Sequence, residues 1–155
     1  MFRKMRRFKQ QLSDEECIEV LEGALRGVLA LRGDDDYPYA LPVNFLYEDG
    51  SIFFHGAKVG HKIDAISRHD KASFCVMDEG FRREGEWALN IRSVIAFGRI
   101  SIVEDEDRAT ELCKRLAMRF TTPEAAEAEA EKARKFVRVL ELKVEHMTGK
   151  IVNES

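Results

Sequence analysis

Phe54-His55-Gly56-Ala57-Lys58-Val59-Gly60-His61-Lys62 sets two histidines, two lysines and two glycines between a strand pattern and a helix pattern. The strand before it, Ser51-Ile52-Phe53-Phe54, is aromatic and β-branched and follows the turn Glu48-Asp49-Gly50, as suits a pleated, half-buried surface. After it, Lys62, Ile63, Ala65 and Ile66 read as a short helix with one apolar side. Gly60 permits close approach of a ligand to the backbone, and free N–H groups at the helix start favour an anion there. Lys62 adds a point charge, so the residues read either as a phosphate site or as a basic surface turn.

Outward from this run, the 155 residues carry 45% hydrophobic content and a net charge of −3. That composition predicts one folded domain over 1–155, with neither disorder nor an overall charge suited to nucleic acid. The basic cluster Arg3-Lys4-Met5-Arg6-Arg7 reads as a solvated arm. Cys17, Cys75 and Cys113 lie far apart without a Cys-x-x-Cys pair, and read as small buried residues. No apolar run approaches a membrane span, and Met1 is not followed by a signal-peptide core; the expected location is cytoplasmic.

Toward the amino terminus, Ser13-Asp14-Glu15-Glu16 has the form of a capping box and predicts a helix. Two strands follow, Gly27–Leu31 and Tyr37–Tyr47, the second kept to an edge or bulge by Pro38 and Pro42. Toward the carboxyl terminus, Lys71–Met77 predicts a strand, 78–86 a loop, and Trp87–Val103 a long strand bent near Gly98. Acids at 104–107 open a helix; Thr122-Pro123 opens another, which is Ala/Glu/Lys-rich and mostly exposed. Phe136–Val144 alternates and closes the sheet. Sequential antiparallel strands with few helices favour a small barrel whose ligand sits outside its filled interior, against a neighbour.

The order Tyr37-Pro38-Tyr39, Leu41-Pro42-Val43-Asn44-Phe45, Asp49–His55, Gly60-His61-Lys62, Ser93-Val94 with Gly98, and Met147-Thr148-Gly149-Lys150 resembles the pyridoxamine 5′-phosphate oxidase-like split-barrel flavoproteins, in their nitroimidazole-resistance branch. The resemblance implies a mainly β (α+β) fold: a six-stranded antiparallel split β-barrel of Greek-key type with flanking helices. It further implies a homodimer binding FMN in a cleft between subunits. Lys62 and the backbone of Gly56, Ala57 and Gly60 would hold the FMN phosphate, with His61 beside it. Val43 and Asn44 would line the isoalloxazine edge, Ser93 would offer a hydroxyl, and His55 would face the flavin as the catalytic residue. The expected activity is FMN-dependent reduction of a small electron-poor acceptor of nitro-aromatic type. The alternative is a flavin- or heme-binding module without turnover. Gly56 stands where members of the branch often carry serine, and the Arg-rich terminal segment of true pyridoxamine phosphate oxidases has no counterpart, which argues against vitamin B6 oxidation.

By residue type alone His55 is either a proton or hydrogen-bond donor to a bound substrate, or a strand-end histidine satisfied by a carbonyl. Metal chelation by His55 and His61 is a third reading, opposed by the five residues between them and the absence of a carboxylate in the run. Trp87 either covers the flavin or fills the core; Tyr37, Tyr39 and Phe45 read as barrel packing.

Overall fold

The computed structural model describes residues 1–154. Its elements in chain order are α1 (Asp14–Gly23), β1 (Arg26–Arg32), β2 (Pro38–Asn44), β3 (Leu46–Glu48), β4 (Ser51–Ala57), α2 (His61–Arg68), β5 (Lys71–Met77), β6 (Leu89–Ile102), α3 (Glu106–Ala117), α4 (Pro123–Ala133) and β7 (Val137–Glu154). All strand pairs are antiparallel in one seven-stranded sheet, in the order β2-β1-β5-β6-β7-β4-β3. The sheet curls until β2 touches β4, giving the mainly β, α+β split barrel.

Seven strands replace the expected six because Tyr37–Tyr47 is not one strand. Residues 38–44 pair with β1, whereas residues 46–48 pair with β4 at the other end of the sheet. The chain breaks at Phe45, whose side chain is fully buried with its ring 4.8 Å from that of Phe74. The Phe45 carbonyl meanwhile accepts a hydrogen bond from Arg119 instead of a neighbouring strand. Both prolines lie on the edge strand β2, where a missing N–H costs no inner ladder bond.

Local signals in the chain account for most of the remaining elements. Ser13 Oγ accepts from the Glu16 N–H at 3.2 Å while the Glu16 carboxylate accepts from the Ser13 N–H at 2.8 Å, completing the capping box of α1. Asp49 and Gly50 both have positive φ, 48° and 80°, as a tight β3–β4 hairpin of the primed type requires. In β6 the register shifts between Phe97 and Gly98, where any Cβ would collide with the Lys143 carbonyl. β7 runs well past Val144 because β6 continues to supply partners as far as Leu89.

Inward-facing Leu29, Ile52, Phe54, Phe74, Val94, Ile100 and Leu142 form the core, closed at one end by Cys17, Val20 and Leu21 of α1. Each such side chain contributes roughly 1.5–3 kcal/mol by leaving water. A second cluster, Phe53, Val103, Leu112 and Val139, seats α3 on the outside of β4 and β7. α4 buries only Ala126 and Ala130, so it packs lightly.

Cys17 is buried, whereas Cys75 and Cys113 are only partly so. Tyr37 is 74% exposed and Trp87 75% exposed, so neither packs in the barrel: both sit in connections outside the sheet. The basic residues of the amino-terminal arm are exposed, but Phe2 is stacked on His146 at 4.7 Å. Among the described residues no helix is long and apolar enough to cross a membrane.

Candidate functional site

Strand alternation in β4 sends Phe54 into the core and His55 to the other face. Three residues after β4 the chain reaches Gly60, whose φ of 124° no side-chain-bearing residue adopts readily, and α2 begins there. No side chain caps this helix, and its first internal bond runs from the Asp64 N–H to the Gly60 carbonyl at 3.0 Å. The N–H groups ahead of Asp64 are therefore free of intrahelical partners, at the positive end of the helix dipole.

Lys62, in the first turn of α2, folds back over Gly56. A Cβ at position 56 would lie 3.0 Å from Lys62 Cε and would overlap its ammonium nitrogen. The missing side chain at Gly56 is thus the space in which the ammonium sits. Burial pulls the pKa of Lys62 below its usual value. His55 is also shifted down, first by desolvation and then by the charge of Lys62. Although its ring reaches solvent, enough protein surrounds it to disfavour the imidazolium. An anion bound here would relieve the strain on both groups.

These residues form one wall of an open cleft of about 460 Å³. Leu41, Pro42, Val43 and Asn44 of β2 form the other, joined by Arg26 from the start of β1. Val43 packs partly on the core, while Asn44 stands directly across the ladder from Arg26. No carboxylate lines the cleft. Of the residues expected from the sequence, the fold brings Val43, Asn44, His55 and Lys62 to one cleft, with Gly56 beneath the lysine and Gly60 at the helix start. Ala57 ends β4 opposite Val137.

Two expected residues lie elsewhere. His61 turns aside to stack on Tyr39, with ring centres 3.9 Å apart, and its Nε2 is 3.9 Å from the Asp34 carboxylate. That carboxylate is held below its usual pKa chiefly by its hydrogen bond from Arg68. Ser93 sits on β6 between Met77 and Lys150 and does not line this cleft. The cleft also holds Arg26, for which the sequence carries no signal, because a lone cation at a strand start forms no motif; its pairing with Asn44 brings it there.

On the outer face of the sheet beside the cleft, Val28, Met77, Ile95 and Phe97 are 39–62% exposed, an apolar patch on adjoining strands. Among the described residues no group of three or more His, Cys, Asp or Glu side chains could hold a metal ion.

Residues 13–151 match the sequence model of the family described as pyridoxamine 5′-phosphate oxidase. No curated protein matches the sequence. Among solved structures, a conserved hypothetical protein from Mycobacterium tuberculosis superposes with a TM-score of 0.81 at 17% identity, over 95% of this chain and 90% of that one. A candidate 5-nitroimidazole antibiotic resistance protein from Bacteroides thetaiotaomicron gives a TM-score of 0.77 at 17% identity, over 93% and 87%. An FAD and heme binding protein from Mycobacterium smegmatis gives 0.75 at 22% identity, over 92% and 73%. At these identities the structures share the fold.

Proposed function

The chain belongs to the pyridoxamine 5′-phosphate oxidase family, and from that premise we propose that it is an FMN-dependent flavoprotein that reduces a small electron-poor acceptor, such as a nitro-aromatic. The observation that carries this reading is the placement of Lys62 over Gly56 at the uncapped start of α2, in a cleft shared with His55 and Asn44 and free of carboxylates. Such a cradle suits a phosphate monoester: the helix N–H groups supply oriented donors and Lys62 supplies charge. Heme is the second reading, because His55 in the same cleft is of the residue type that serves as an axial ligand.

When bound, FMN would supply reversible electron storage, the hard chemistry in such enzymes. The chain's own residues then orient, shield and hydrogen-bond. Lys62 and the start of α2 would hold the phosphate and so anchor the cofactor at one wall of the cleft. The Asn44 side chain offers a donor and an acceptor to a ring edge. His55, kept neutral near pH 7 by burial and by Lys62, offers one N–H donor and one acceptor nitrogen to a substrate in the cleft. The open cleft beside the Val28–Met77–Ile95–Phe97 patch favours a homodimer, in which a second copy covers the apolar face and excludes water from the site.

The test is the visible spectrum of the protein as isolated and after titration with FMN and with FAD, together with sedimentation to read the dimer. Yellow absorbance near the flavin bands, FMN affinity reduced at least about tenfold in Lys62→Ala, and anaerobic reoxidation of the reduced protein by a nitroimidazole support the proposal. A chain that takes up neither flavin refutes it. A Soret band in place of flavin absorbance would favour a heme-binding module.

A further inference from the structure

Beyond its backbone pairing with β2, the exposed Arg26 side chain has no ion-pair or hydrogen-bonding partner among the described residues, and no acid lines the cleft it enters. Its surroundings nonetheless hold it in place. Gly27, next in the chain, is pressed so closely against the Phe74 ring and the Cys75 carbonyl that a Cβ there would overlap both, which fixes the backbone from which Arg26 projects. The guanidinium lies 5.8 Å from the centre of the Phe120 ring, a cation–π distance that orients it and leaves its donors unused. Across the ladder stands Asn44, close enough for both side chains to address one ligand. Arg26 belongs to the β1–β2 wall, whereas the phosphate cradle of Lys62 and α2 belongs to the opposite wall and is complete without it.

We infer that Arg26 anchors an oxyanion, a carboxylate or phosphate, carried by the second substrate that enters the cleft beside the cofactor. This rests on the flavin reading above. A planar guanidinium with free donors is the side chain that best matches such a group by paired hydrogen bonds. Losing a charge-assisted bond of this kind corresponds to roughly a ten- to hundredfold change in binding.

The experiment compares wild-type protein with Arg26→Gln and Arg26→Lys, using matched substrates that differ in the anion. For the acceptor the pair is 4-nitrobenzoate and nitrobenzene; for the hydride donor it is NADPH and neutral 1-benzyl-1,4-dihydronicotinamide. The expected result is that Arg26→Gln lowers the kcat/KM ratio of the charged over the neutral member at least tenfold in one pair. Arg26→Lys should lie between the glutamine variant and wild type. The pair affected tells whether acceptor or donor carries the anion. Ratios unchanged in both pairs overturn the inference; so does a tenfold loss of FMN or FAD affinity in Arg26→Gln, which would assign the residue to the cofactor. If wild-type protein binds no flavin, the flavin reading fails by itself. Calorimetric binding of 4-nitrobenzoate and NADPH to the unloaded chain then still tests Arg26, and affinities for both that do not change in Arg26→Gln overturn it.

Discussion

Arg119, just beyond α3, joins three parts of the chain that meet at the cleft, and its removal should be costly. Its guanidinium donates to the carbonyls of Glu22 at 2.8 Å, Ala24 at 2.6 Å and Phe45, and lies 4.9 Å from the centre of the Phe45 ring. These acceptors are the end of α1, the approach to β1 and the break between β2 and β3. In Arg119→Met the aliphatic stem still packs but every donor is gone. The Glu22 and Ala24 carbonyls can turn to water, at a net cost of about 1 kcal/mol each. The Phe45 carbonyl, beside a fully buried side chain, is stranded at roughly 1–3 kcal/mol, and the cation–π contact adds about 0.5–1 kcal/mol. Relief from desolvating the guanidinium, evident in its lowered pKa, offsets part of this. The expected loss is about 3 kcal/mol in equilibrium urea unfolding with an unchanged m-value. FMN binding should weaken as well, since Asn44 precedes the released break. Arg119→Lys should recover only a fraction, because the three donors of an ammonium radiate from one nitrogen, whereas these carbonyls are placed around two separate guanidinium nitrogens. A loss under about 1 kcal/mol in the methionine variant would refute the assignment of Arg119 as the clamp of this seam.

Two further outcomes follow from the phosphate turn. Gly56→Ala places a methyl where the Lys62 ammonium sits, and because the clash is with the far end of a flexible side chain, stability should change by less than about 1 kcal/mol while FMN affinity falls roughly tenfold; unchanged affinity would show that Lys62 does not bind from that position. His55 should titrate below pH 6.5 by NMR in the flavin-free protein, and Lys62→Met should move its midpoint up by removing the smaller cause while burial remains; a midpoint at or above 6.5 contradicts this. Because the unfolded chain then binds more protons than the folded one between that depressed midpoint and pH 6.5, the stability His55 contributes is present above pH 6.5 and lost as the pH falls through the folded midpoint. His55→Gln should remove that part of the pH dependence in denaturant melts.

What could be read from the chain beforehand divides by how far each structural cause lies from its effect. The capping box at Ser13, the Asp49-Gly50 hairpin turn, the Thr122-Pro123 helix start and the Gly60 entry to α2 are all set within a few residues, so the sequence displays them directly. The break at Phe45 is not local. Residues 37–47 carry strand propensity throughout, and the hydrogen bond that ends the strand comes from Arg119, 74 residues away. The orientation of His61 has the same kind of distant cause: its position beside the phosphate turn is local, but its ring stacks on Tyr39 and approaches Asp34, more than twenty residues earlier in the chain.

The residue that obscured the strand count also locates the site. A chain that pairs with β1 up to Asn44 and with β4 from Leu46 must cross from one edge of the sheet to the other at a single residue, and that crossing closes the barrel. At such a seam β2 and β4 touch without a shared ladder, so side chains from these two strands and from the neighbouring β1 and α2 can converge on a ligand. Within an intact ladder the same side chains would be held apart by the strands between them, as Ser93 is held away on β6. The cleft therefore lies where regular pairing fails, and the residues most worth testing are the two that hold the failure in place, Phe45 from inside and Arg119 from outside, together with Arg26 on the cleft wall beside them.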